Sequence, residues 1–169
     1  MKQKNILLVG FMGSGKTTVG KALAEKRLMN FLDLDEEFEK YEGKRIVRIF
    51  EEKGESYFRD REAYILKKFS KEKSAVIATG GGIVLREDNR NLLKRLGTRV
   101  WLDASSETIY ENTRHQKYRP LLDVQDRKEF IVCKLNERKP LYEQADVRVV
   151  VDGKTVDQIV EEIEEKLHA

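Results

Sequence analysis

Short apolar runs alternate along this chain with longer stretches in which apolar residues recur every three or four positions. The runs at 5–9, 31–34, 75–78, 99–102 and 147–151 read as strands. They are continuously apolar rather than alternating, as strands covered on both faces require. The stretches 16–27, 36–53, 57–71, 88–96, 105–114 and 128–144 read as helices. A break at Gly54 separates the second from the third, Gly97 ends the fourth, and Ser105 or Ser106 caps the fifth. After the turn Asp152-Gly153, a last helix carries Val156, Ile159, Val160, Ile163 and Leu167 as one apolar stripe. Strands separated by helices imply right-handed crossovers and parallel pairing. The expected architecture is a three-layer α/β/α domain around a parallel sheet, with ligands at the carboxyl ends of its strands.

Composition narrows this picture. At 169 residues, without repeats or a Pro/Gly/Ser-rich linker, the chain reads as a single domain, 1–169. It is 37% charged, but Lys+Arg 33 against Asp+Glu 30 leaves only +3. The mixed signs predict a solvated, ion-paired surface and argue against nucleic acid as a partner. No apolar run approaches the roughly 20 residues of a membrane span, and no signal peptide is evident, so a cytoplasmic, non-membrane protein is expected. A monomer is the expected assembly. The single cysteine, Cys133, excludes an internal disulfide and reads as a small buried hydrophobe on a helix. Trp101 reads as core, His115 and His168 as surface residues, and Phe50 and Phe58 as partly core with a share in a pocket wall.

The chemistry begins at residues 10–17, Gly-Phe-Met-Gly-Ser-Gly-Lys-Thr, which match G-x-x-x-x-G-K-[ST] between a strand and a helix. Gly13 and Gly15 let the backbone curl so that several N–H groups face one concavity at a helix N-terminus. Lys16 brings a full charge to the β- and γ-phosphates, and Thr17 offers a hydroxyl to Mg²⁺. This predicts a bound nucleoside triphosphate without separating kinases from hydrolytic switches.

The acceptor side is carried by separate segments. Asp33 and Asp35 are two apart at a strand end, so both carboxylates can face one pocket, one for Mg²⁺ and one to orient or deprotonate a hydroxyl. One of the two is also expected to cap the following helix. Arg59 suits a carboxylate through its planar fork, and Glu62, three residues on, can hold it, although an ordinary surface pair is the alternative. Gly80, Gly81 and Gly82 end the third strand, where a ligand approaches bare backbone. The basic segment 114–127, containing Arg119, reads as a mobile lid that brings an arginine to the transferring phosphoryl group, or else as a charged surface loop. Arg138 is a second carboxylate clamp or an exposed helix residue.

In combination, the phosphate loop, Asp-Leu-Asp, Phe-Arg-x-x-Glu, the triple glycine, Arg-Pro-Leu-Leu and Arg-x-Pro-Leu-Tyr resemble the shikimate kinases over the whole chain. The resemblance implies a five-stranded parallel sheet of the P-loop, nucleoside monophosphate kinase type, with ATP and Mg²⁺ as cofactors and shikimate as the small-molecule substrate. The reaction it implies is transfer of the γ-phosphoryl group to the 3-hydroxyl of shikimate, on the way to chorismate and the aromatic amino acids. By this resemblance Lys16, Asp33, Asp35 and Arg119 are catalytic. Gly13, Ser14, Gly15, Lys16, Thr17, Thr18 and Arg119 hold the nucleotide, and Thr17 and Asp33 hold the metal. Asp35, Arg59, Gly80, Gly81, Gly82 and Arg138 bind shikimate. The chain departs from the family in a lid with four residues between Arg114 and Arg119, and in offering only Lys154 as an adenine-side basic residue. A gluconate-kinase-like enzyme is the runner-up. A nucleotide-dependent switch is a third reading, for which no water-positioning residue is evident.

Overall fold

The computed structural model describes residues 4–116 and 125–169. Five strands form one sheet: β1 (Asn5–Val9), β2 (Asn30–Asp33), β3 (Ala75–Ala78), β4 (Gly97–Asp103) and β5 (Val147–Val150). Their order is β2-β3-β1-β4-β5 and every pairing is parallel, with Leu7 opposite both Ile77 and Arg99. The expected parallel five-stranded sheet is therefore present. Leu7, Leu8, Val76, Ile77, Val100 and Leu102 are buried, as the continuous apolar runs required.

Among the described residues, seven α-helices connect and cover the strands: α1 (Lys16–Arg27), α2 (Leu34–Glu42), α3 (Ile46–Lys68), α4 (Glu87–Leu96), α5 (Ser106–Thr113), α6 (Arg127–Tyr142) and α7 (Val156–His168). α1 and α7 pack together on one side of the sheet, while α4 packs on β1 and β4 and against α3. The strand order reverses at β1, whose neighbours are β3 and β4, so the loop after β1 opens onto the switch-point crevice.

Several boundaries differ from the sequence reading. The second strand begins at Asn30 and ends at Asp33, and Leu34 is already helical. Asp33 causes this: its side chain accepts from the N–H groups of Asp35 and Glu36 and so starts the helix. The stretch expected as one helix, 36–53, is split at Gly43, which adopts φ 64° and ends α2. The next break does fall at Gly54, where φ 79° and ψ 176° are non-helical and separate two helical segments along α3. α3 stops at Lys68 and a short 3₁₀ turn, Phe69–Lys71, completes what read as helix. Ser105 caps α5, and Thr155 and Gln158 form a capping box on α7.

Trp101 is buried and stacks on Tyr142 with ring centroids 6.0 Å apart. His115 and His168 are exposed. Cys133 is exposed as well, which corrects its reading as a buried residue. It lies on the outer side of α6, where its Sγ is 3.6 Å from Glu137 Oε1; Ile131, Arg138 and Tyr142 face inward instead. The ion-paired surface is present in pairs such as Arg27–Glu164, Lys44–Glu52 and Arg99–Asp146.

Candidate active site

The loop after β1 curls because Gly13 and Gly15 take φ 81° and 92°, a region costly for residues with a Cβ. Gly15 occupies the N-cap position of α1 with no side-chain cap, which leaves the helix N-terminus open to an anion. Lys16 is buried, and its Nζ donates to the carbonyls of Gly10 (2.7 Å) and Phe11 (2.9 Å). The ammonium is thus held across the mouth of the loop. Ser14 Oγ is buried and has no hydrogen-bond partner among the described residues.

Thr17 Oγ1 donates to Asp33 Oδ2 at 2.6 Å, while Oδ1 of Asp33 accepts from Asp35 N at 2.9 Å. One carboxylate therefore starts α2 and also reaches across to α1. A hydroxyl and a carboxylate in contact are hard oxygen donors of the kind Mg²⁺ takes, with phosphate and water filling the other positions. No group of three or more His, Cys, Asp or Glu forms a metal cage among the described residues.

A cleft of about 320 Å³ opens beside this pair, walled by Asp35, Phe50, Phe58, Arg59, Glu62 and the three glycines. Arg59 and Glu62 are both buried and bonded at 2.9 Å, which overturns the alternative of an ordinary surface pair. Arg59 also reaches Glu55 at 3.3 Å and lies over the Phe58 ring. The glycines have a second purpose that the sequence did not reveal. A Cβ on Gly82 would fall within the Arg59 guanidinium, and one on Gly80 would lie 2.6 Å from Glu62 Oε1 and 3.1 Å from Asp35 Oδ1. The bare backbone makes room for the protein's own charged groups. Arg138 is buried, with its guanidinium 5.3 Å from the Phe11 ring centre. It stands behind the lining of the cleft, and its Nε and Nη1 have no partner among the described residues.

Burial, opposed by Arg59 and reinforced by the negative charge of Asp35, pushes the Glu62 carboxyl from 4.5 up to about 7. The folded protein then holds a proton at Glu62 that the unfolded chain has released, so stability from this residue falls as pH rises from about 4.5 to about 7 and is level above that. Urea unfolding of the wild type and Glu62→Gln, measured at intervals from pH 5 to 8, is expected to show their stability difference changing by about 1.4 kcal/mol per pH unit inside that window. Parallel pH profiles for the two proteins would refute the assignment.

The second cleft, about 580 Å³, runs from the phosphate loop between α5 and the start of α7. Gly13, Ser14, Gly15, Lys16, Thr17 and Thr18 form its floor, and Thr108, Asn112, Gln116, Val151, Gly153, Lys154, Val156 and Ile159 its walls. Lys154 is thus placed on the nucleotide side, although its Nζ is paired with Glu162 at 2.5 Å. Arg114 is outside the lining, exposed and paired with Glu111. Arg119 and most of the expected lid, 117–124, lie outside the described residues. Sequence reasoning missed Thr108, Asn112 and Gln116; Asn112 Nδ2 donates to Gly13 O at 2.8 Å and ties α5 to the loop. It also missed Arg45, Ile46 and Val47, brought to the acceptor cleft by the unforeseen turn at Gly43. The two clefts meet: Met12, Thr17, Asp33, Asp35 and Gly81 line both.

A sequence profile of the shikimate kinase family matches residues 12–168. A shikimate kinase of Persephonella marina is 50% identical over 160 residues, 95% of this chain and 96% of its own length. The solved structure of a shikimate kinase from Acinetobacter baumannii, in complex with shikimate, superimposes with a TM-score of 0.96 at 38% identity, covering 98% of this chain and 93% of that one. A gluconokinase from Sinorhizobium meliloti, at 21% identity, 98% and 91% coverage and a TM-score of 0.62, shares the fold alone.

Proposed function

The chain belongs to the shikimate kinase family, and from this premise we propose how its own residues perform the reaction. The protein is an enzyme that phosphorylates shikimate with ATP. The observation that carries the assignment to these clefts is their junction: a triphosphate on the phosphate loop and a small molecule beside Arg59 would meet at Thr17, Asp33 and Asp35.

In this reading the β- and γ-phosphates lie on the N–H groups of residues 13–18, with Lys16 turned from the loop carbonyls toward them. Thr17 and Asp33 would hold Mg²⁺, which would neutralise phosphate charge when bound. Asp35 holds the acceptor hydroxyl, the 3-hydroxyl of shikimate, and takes its proton as the oxygen attacks the γ-phosphorus, whose bond to the β–γ bridging oxygen breaks to release ADP. Arg59 and Arg138 hold the substrate carboxylate, and the Gly80–Gly82 backbone lies along the ring. Two features support Arg138 in this role: it is buried close enough to Glu62 to act on its carboxyl, and its Nε and Nη1 have no partner among the described residues. Arg119, on a lid over residues 114–127 of a single domain, brings positive charge to the transferring group and excludes water. The basic composition of that segment supports this. A cytoplasmic monomer belongs to the same proposal; that one chain lines both clefts supports the monomer alone.

A coupled assay of ADP release across shikimate, gluconate and nucleoside monophosphates tests the reading. Shikimate is expected to accelerate ATP turnover strongly, in a Mg²⁺-dependent way, and the others are not. Turnover with gluconate but not with shikimate would reject it.

A further inference from the structure

One buried side chain touches the acceptor turn from behind and has no place in the chemistry above. Tyr142, at the end of α6, is fully buried and donates its hydroxyl to the carbonyl of Gly81 at 2.5 Å. Its ring is fixed by stacking on Trp101. It does not line the acceptor cleft; its ring packs near Val9, Val84, Leu93 and Leu141, while its hydroxyl lies beside Arg138, behind the cleft lining. The Gly81 carbonyl therefore points away from the cleft. In a trans peptide the C=O of one residue and the N–H of the next are antiparallel. Fixing the Gly81 carbonyl backward thus turns the Gly82 N–H forward, beside the Arg59 guanidinium that packs directly on Gly82. None of the three glycines takes a positive φ, so local conformation alone does not set this peptide plane.

We propose that Tyr142 is a positioning residue for the substrate: its hydroxyl locks the Gly81–Gly82 peptide so that the Gly82 N–H is presented, together with Arg59, to the substrate carboxylate. This rests on the assignment of shikimate to the acceptor cleft. The hydroxyl is suited to the task. Burial raises it to about 12, against the pull of Arg138, so it stays a neutral donor across the working range of pH. A flipped peptide would put a carbonyl oxygen where the carboxylate binds, so the lock acts on affinity and selectivity rather than on the phosphoryl step.

Tyr142→Phe removes the hydroxyl and keeps the stacked ring. The expected result is a rise of about tenfold in KM for shikimate, from the lost hydrogen bond, with kcat within about twofold and ATP affinity by titration unchanged. Glycine-selective ¹⁵N labelling reads the peptide directly, with only 11 glycines to resolve. The Gly82 amide of the wild type is expected to move downfield on adding shikimate, and that shift is expected to shrink in Tyr142→Phe. An unchanged KM, or a rise matched by an equal loss of ATP affinity and a lower Tm, overturns the proposal. So does a Gly82 resonance that shikimate leaves unmoved in the wild type, a result independent of whether the variant folds. Absence of shikimate-dependent turnover in the wild type would instead reject the substrate assignment.

Discussion

Lys16→Ala is expected to lower phosphoryl transfer by at least about 10²-fold, because one preorganised cationic donor to the developing phosphate charge is removed. Its fold should survive. The Lys16 ammonium bridges two loop carbonyls, but the curl itself is set by Gly13 and Gly15 and by the Ser14 N–H bond to Phe11 O at 3.2 Å. Asn112 adds a tie from α5. Circular dichroism and the thermal midpoint should therefore stay close to wild type while turnover collapses and ATP binding weakens. Near-normal turnover in a folded variant would remove the phosphate loop from the mechanism.

Asp35→Asn should act on the other substrate. The residue lies where the clefts join, and asparagine keeps its shape while losing the ability to take a proton. A positioned general base contributes about 10²–10⁴-fold, and kcat should fall within that range with ATP affinity unchanged. The helix start is not at risk, because the cap is Asp33. A second readout accompanies the first. Asp35 is one of the groups raising the Glu62 carboxyl, so its neutralisation should move the Glu62 transition to lower pH. A kcat within a few-fold of wild type would assign Asp35 to binding alone.

The difference between these residues shows which parts of the site were legible in advance. Lys16 and Thr17 belong to a contiguous motif whose geometry is local: a strand, two glycines in left-handed conformations and a helix N-terminus. Such a unit can be read without knowing what it packs against. Asp33 and Asp35 were correctly paired by spacing but for an incomplete reason. The strand ends at Asp33, and the pair is brought to one cleft by a capped helix turn rather than by an extended chain. Arg59 and Glu62 were legible as neighbours on a helix, while their burial was not. That depends on Gly80 and Gly82, which leave space for them from a distant part of the chain.

By itself the sequence determined the strand and helix order, the parallel sheet, the phosphate loop and, through its combined motifs, the family. Each of these rests on periodicity, on backbone propensity or on residues close together along the chain. Only the tertiary structure decided that Gly43 breaks a helix to bring Arg45, Ile46 and Val47 to the cleft, that Cys133 faces outward, and that Glu62 is held far from its ordinary titration. It also decided that Tyr142 reaches back 61 residues along the chain to hold Gly81. Burial and the proximity of distant charges depend on how whole elements pack, and for that reason no local pattern encodes them.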